Sequence, residues 1–76
     1  TKAGLIADYL EQCGKRVVCS RQLFREALGR ETEEPKQRDI REINDIMNNT
    51  ITGWKAFSNP RHFPSPYGRQ KGWERV

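Results

Sequence analysis

The chain has little of what enzymes and metal sites require. Its 76 residues contain one histidine and two cysteines, too few for a disulfide framework or a four-ligand zinc site. We therefore expect Cys13 and Cys19 to be free thiols in a reducing cytosol. No run of about 18 apolar residues is present to span a membrane, and no apolar segment is typical of a signal peptide. These absences predict a cytoplasmic protein without membrane contact.

Catalytic patterns are missing as well. The sequence has no glycine-rich phosphate loop and no carboxylates interleaved with metal ligands. His62 has no companion that would make it a general base, and Cys19 has no nearby histidine to activate it. The acidic residues Glu31, Glu33 and Glu34 share a polar loop and are typical of solvated charge. We expect no enzyme activity in these residues, no metal and no cofactor.

The positive charge is confined to the last third of the chain. Residues 1–52 contain nine of the 14 Lys/Arg and nine of the ten Asp/Glu, so their charges cancel. Residues 53–76 contain the other five basic residues and one acidic residue, and 5 − 1 gives the whole net charge of +4. A localised basic patch indicates a polyanionic partner, and a solvated tail is the alternative. The basic residues are Lys55, Arg61, Arg69, Lys71 and Arg75.

Apolar residues at helical spacing predict three helices. The first contains Leu5 to Cys13 and stops at Gly14. A short apolar strand, VVC, follows, and Ser20 is the expected N-cap of the second helix. The third extends over about residues 36–50. Its apolar stripe consists of Ile40, Ile43, Met47 and Ile51.

The C-terminal third predicts a β-hairpin. A strand starts at Trp54, another contains Trp73, and a proline-rich tip that suits neither helix nor strand joins them. We expect both tryptophans to pack the hairpin against the helices. Phe63 and Tyr67 either stack on unpaired bases or fold the tip back on its own strands, and for Tyr67 we favour the second. A bulge at Gly72 would decide which way the basic residues beside it face.

The order helix, short strand, helix, helix, hairpin predicts an α+β, mainly α, winged helix-turn-helix domain. We expect residues 1–76 to be a single, monomeric domain of a larger protein. The third helix of such a fold lies in the DNA major groove and the hairpin contacts the backbone. The alternative is that Arg38 and Arg41 only solvate their helix, paired with Glu42 and Asp45. The expected nucleic-acid contacts are Gln37, Arg38, Arg41 and Asn48 of the third helix, and Lys55, Arg61, His62, Arg69 and Lys71 of the hairpin.

Three segments resemble a known family. LFREALG (23–29), the helix closing into Gly53 and Trp54, and the ending YGRQKGWER (67–75) are similar to the C-terminal region of the virulence-associated E family. These are primase/helicase-like proteins of phages and mobile elements, with an ATPase domain upstream. The resemblance implies an accessory DNA-binding domain of a replication protein, acting on duplex or single-stranded DNA.

Two other functions fit the same sequence. One is a protein-interaction winged helix, whose basic hairpin docks on an acidic partner or on the parent's ATPase domain. The other is a structural cap without a ligand.

Overall fold

The computed structural model describes residues 1–76 as three helices and three strands. Helix α1 is Lys2–Gln12, strand β1 is Val17–Cys19, and helix α2 is Ser20–Gln22 continued by a π-helical turn, Leu23–Ala27. Helix α3 is Gln37–Asn49, strand β2 is Trp54–Phe63 and strand β3 is Gly68–Arg75. The expected α+β architecture, with three helices, a short strand and a C-terminal hairpin, is confirmed. None of the helices is both long and apolar enough to cross a membrane.

Helix α1 begins and ends at local signals. The Thr1 hydroxyl accepts a hydrogen bond from the Gly4 N–H at 3.0 Å, which satisfies a free donor of the first turn. Ile6 and Leu10 are buried. Cys13 is the C-cap of the helix, and Gly14 follows with φ +66°, the left-handed conformation that glycine adopts at low cost.

The prediction that Ser20 is the N-cap of α2 was wrong. Cys19 precedes the helix with extended backbone angles, makes no side-chain cap, and is the register partner of Gly72 in the sheet. Because this pairing holds Cys19 in the strand, the helix starts at Ser20 itself. The π-helical turn buries Leu23 and Phe24.

Helix α3 presents its apolar stripe to the core as expected. The Lys36 N–H donates to the Asp39 carboxylate at 2.8 Å, which fixes the first turn. Ile43 and Met47 are buried, whereas Ile40 is only half-buried at the edge of the stripe.

The three strands form an antiparallel sheet in the order β1-β3-β2. Val18 of β1 and Ala56 of β2 are the register partners of Trp73 on either side of β3. Eight buried residues from all three helices and from β1 and β3 form one core, so the sheet is fixed to the helices through its central strand. The core consists of Ile6, Leu10, Val18, Leu23, Phe24, Ile43, Met47 and Trp73. Trp54 packs against its edge, as expected for both tryptophans.

The irregularity of the sheet lies in β2 rather than at Gly72. Phe57 pairs with Gly72 and Arg61 with Gln70, so residues 58–60 of β2 stand opposite the single residue Lys71. The side chains of β3 therefore alternate between the two faces of the sheet along the whole strand. Gly72 has a different role, because a Cβ there would lie 2.0 Å from the Val18 carbonyl oxygen. Only glycine allows β1 and β3 to approach this closely.

Candidate nucleic-acid interface

One side-chain hydrogen bond joins α3 to the hairpin. The indole Nε1–H of buried Trp73 donates to the Oδ1 of Asn48 at 3.0 Å. An indole can only donate, so the bond also fixes the orientation of the Asn48 amide. The amide oxygen is held at Trp73, and the NH₂ group of this exposed side chain remains free to donate.

A groove of about 530 Å³ lies between α3 and the hairpin. We call it the hairpin groove. Its lining contains amides, apolar groups and two cations but no carboxylate, so every charged side chain that lines it is positive. The lining residues are Ser20, Ile40, Asn44, Asn48, Ala56, Phe57, Pro60, Arg69, Gln70, Lys71, Gly72 and Trp73.

Arg69 and Lys71 face the hairpin groove. Since β3 has no bulge, alternation places both on the same face of the strand as Trp73. Both are exposed nonetheless, and neither belongs to any of the four ion pairs in the structure. His62 is the register partner of Arg69 and is also exposed, so it lies on the same face nearer the tip.

Lys55 and Arg61, also predicted contacts, lie on the other face of the sheet. The register partner of Lys55 is Glu74, one position from Trp73 and so on the opposite face. The Arg61 guanidinium is 3.1 Å from the Glu74 carboxylate and 4.1 Å above the ring of Phe57. Arg61 is therefore engaged within the protein, and neither residue lines the hairpin groove.

Arg75 contributes to the fold instead of the basic surface. Its guanidinium donates to the carbonyl oxygens of Leu10 at 2.9 Å and Lys15 at 3.0 Å. It also lies 4.4 Å above the ring of Trp54. Of the five basic residues in the last third of the chain, three thus remain unpaired: Lys55, Arg69 and Lys71.

Arg38 and Arg41 are exposed on α3 and unpaired. They line a second, fully polar depression together with Lys2, Arg30 and three carboxylates. Glu42 pairs with Lys2 at 2.7 Å, and Asp45 forms no ion pair. The alternative in which these arginines are neutralised by i,i+4 partners is therefore not observed.

One face of α3 extends from the polar depression to the hairpin groove. At 100° per residue, four residues of α3 fall within about 60° of each other on one face. Arg41 lies on this face and Arg38 lies about 60° further round the helix, so Arg41 is the nearer of the two arginines to the groove. We call this face the amide stripe: Gln37, Arg41, Asn44 and Asn48.

The hairpin tip is fixed to α2 by shared hydrogen bonds. The Tyr67 hydroxyl donates to Glu26 Oε2 at 2.5 Å, and the Tyr9 hydroxyl donates to Glu26 Oε1 at 2.7 Å. Gln22 in turn donates to the Tyr9 hydroxyl at 3.0 Å. Burial, and then the hydrogen bond to Glu26, raise the pKa of Tyr67 to about 12, and the same causes raise the pKa of Tyr9. Tyr67 thus holds the tip to a helix, whereas the sequence favoured contact with its own strands.

Three polar residues of the groove were not among the expected contacts: Ser20, Asn44 and Gln70. Asn44 could have been found, because it lies three residues after Arg41 and four before Asn48 on one helix face. Ser20 carries no such signal, since it reaches the hairpin groove only because β1 pairs with β3.

Comparison of the chain with models of protein families, with curated proteins and with solved structures found no match. The resemblance to the virulence-associated E family therefore stays a prediction.

Proposed function

We propose that this chain is a winged-helix domain that binds duplex DNA through the hairpin groove and the adjoining amide stripe. In this proposal α2 and α3 are the helix-turn-helix and the β2–β3 hairpin is the wing. The element order and the sheet order β1-β3-β2 support it.

The observation that carries the proposal is the composition of the hairpin groove. Two unpaired cations, Arg69 and Lys71, face two amides, Asn44 and Asn48, across a surface without a carboxylate. Phosphate contacts from Lys and Arg position a protein on DNA, and side-chain amides are among the groups that distinguish base edges. Both kinds of contact are available on one side of the domain.

The aromatic rings favour duplex over single-stranded DNA. Proteins that bind single strands use exposed aromatic rings on which bases stack. Here the only large apolar residues that are exposed are Leu5 and Val76. The rings are engaged: Trp73 with Asn48, Tyr67 with Glu26, Phe57 under Arg61, Trp54 under Arg75, and Phe63 buried beside Phe57.

A place in a replication protein is part of the same proposal. The resemblance to the virulence-associated E family supports an accessory role, with the ATP-dependent chemistry in another part of the protein. The coding sequence upstream of Thr1 tests this part. A P-loop there supports it, and a different domain there removes it while the DNA-binding proposal stands.

Fluorescence anisotropy with a labelled duplex across a salt series tests DNA binding. Four cations, Arg38, Arg41, Arg69 and Lys71, are placed to contact phosphates, so the log–log slope should be about −3.6, from about −0.9 per contact. Lys71→Ala should reduce the slope by about 0.9. The matched control is Lys55→Ala, which removes an exposed lysine from the other sheet face and should leave the slope unchanged.

Two results would contradict the proposal. One is the absence of duplex binding at about 50 mM salt, where phosphate contacts are strong; the other is equal or tighter binding of the matching single strand. Docking of the hairpin on an acidic protein is distinguished by Arg38→Ala with Arg41→Ala. These residues line a separate depression, so the double change should weaken DNA binding and leave such docking intact.

A further inference from the structure

The two asparagines of the amide stripe differ in the hydrogen bonds they can offer. Asn48 has its oxygen at the Trp73 indole and presents its NH₂ group as a donor. Asn44, one helical turn earlier, is half-buried in the hairpin groove and makes no side-chain hydrogen bond within the protein. Asn44 therefore offers both an acceptor and a donor.

Adenine requires this combination. In the major groove adenine presents the N7 acceptor and the N6 donor side by side, and the amide of Asn or Gln is complementary to both. The Asn48 amide is restrained by Trp73 and cannot turn its oxygen to adenine without breaking that bond. Gln70, the third amide of the groove, has its Nε2 held at the Tyr67 carbonyl oxygen at 2.9 Å. Asn44 is therefore the amide of the groove that has neither its oxygen nor its NH₂ group engaged within the protein.

An apolar neighbour completes the base pair. Ile40 lies one turn before Asn44 on α3, is half-buried, and lines the same groove. The partner base of adenine is thymine, whose C5-methyl group is recognised by apolar contact. Arg69 and Lys71 on the hairpin side of the groove are then placed for phosphates.

We propose that Asn44 is a specificity-determining residue that recognises adenine in duplex DNA, with Ile40 against the methyl group of the paired thymine. The hairpin groove thus prefers sites that contain an A·T pair below Asn44. Asn48, oriented by Trp73, is a positioning residue that donates to a neighbouring base acceptor or phosphate. This inference rests on the proposed DNA binding.

Selection of duplexes from a randomised pool tests the inference. The wild-type chain should enrich adenine at one position about 5- to 140-fold, because a good bidentate contact discriminates by about 1–3 kcal/mol and 1.4 kcal/mol is tenfold. Asn44→Ala should lose the preference at that position. Asn49→Ala is the matched control, the same change at an exposed position of α3 outside the groove, and should keep the preference.

A second measurement needs no protein variant. Replacing the selected adenine by 7-deazaadenine removes the N7 acceptor, one of the two hydrogen-bonding partners. It should weaken wild-type binding about 2- to 12-fold, because one hydrogen bond contributes about 0.5–1.5 kcal/mol and 1.4 kcal/mol is tenfold. Duplex binding without an A·T preference, a preference that survives Asn44→Ala, or insensitivity to 7-deazaadenine overturns the inference and leaves the proposed function intact. Absence of any duplex binding overturns both.

Discussion

Replacing Tyr67 by phenylalanine removes the hydroxyl that fixes the hairpin tip to α2. In the native structure this hydroxyl donates to Glu26 at 2.5 Å, and the ring is half-buried. A hydrogen bond to a charged group contributes about 1.5–3 kcal/mol. Because Glu26 is exposed and water competes for it, we expect a loss at or just below the low end of this range, about 1–1.5 kcal/mol. For a domain of this size that lowers Tm by roughly 4–12 °C.

Urea titration of the wild-type chain and the variant measures this loss, and a double-mutant cycle assigns it. In a Glu26→Ala background the hydroxyl has no carboxylate to bind, so Tyr67→Phe should then cost almost nothing. A loss below about 0.3 kcal/mol, within the usual error of additivity, would refute the assignment. An equal loss with and without Glu26 would refute it too, because the hydroxyl would then act through some other contact.

Three further changes test other contacts of the fold. The free energy of unfolding should fall between about pH 10 and pH 12, because the pKa of tyrosine is 10.0 in the unfolded chain and about 12 at Tyr67 in the native state. In that window the unfolded chain binds fewer protons than the native state, so a rise in pH favours unfolding. The urea midpoint of the wild-type chain should therefore fall more steeply over this range than that of Tyr67→Phe. Arg75→Ala removes the guanidinium that binds the Leu10 carbonyl and should cost about 1–3 kcal/mol while leaving the salt slope of DNA binding unchanged; a changed slope would place Arg75 at the DNA. Gly72→Ala places a Cβ 2.0 Å from the Val18 oxygen and should cost about 1–3 kcal/mol or more; an unchanged melting curve by circular dichroism would mean that β1 and β3 are further apart.

The helices and the core could be predicted because their signals are local. The stripe of α3 follows from spacing alone, and Ile43 and Met47 are buried as that spacing requires. The N-cap of α2 could not be predicted, since the pairing of Cys19 with Gly72 joins residues far apart in the chain. The π-helical turn at Leu23–Ala27 has no signal in the apolar spacing either.

The candidate site was predictable on α3 and much less so on the hairpin. Helical geometry alone identifies an outward face with Gln37, Arg41 and Asn48. On the hairpin, the face of each cation depends on the register. Arg61 pairs with Gln70, the neighbour of Arg69, so Arg61 and Arg69 lie on opposite faces of the sheet. The net charge gave no indication that Arg61 pairs with Glu74, because a charge count does not specify partners.

The central claim is that duplex DNA binds in the hairpin groove, and NMR titration of ¹⁵N-labelled protein with a duplex tests it most directly. The indole N–H of Trp73 and the side-chain amides of Asn44 and Asn48 give distinct signals within the groove. We expect all three to shift or broaden as duplex is added, while the indole of Trp54, which lies under Arg75 outside the groove, stays in place. Duplex binding that leaves the Trp73 and asparagine signals unmoved would contradict the account.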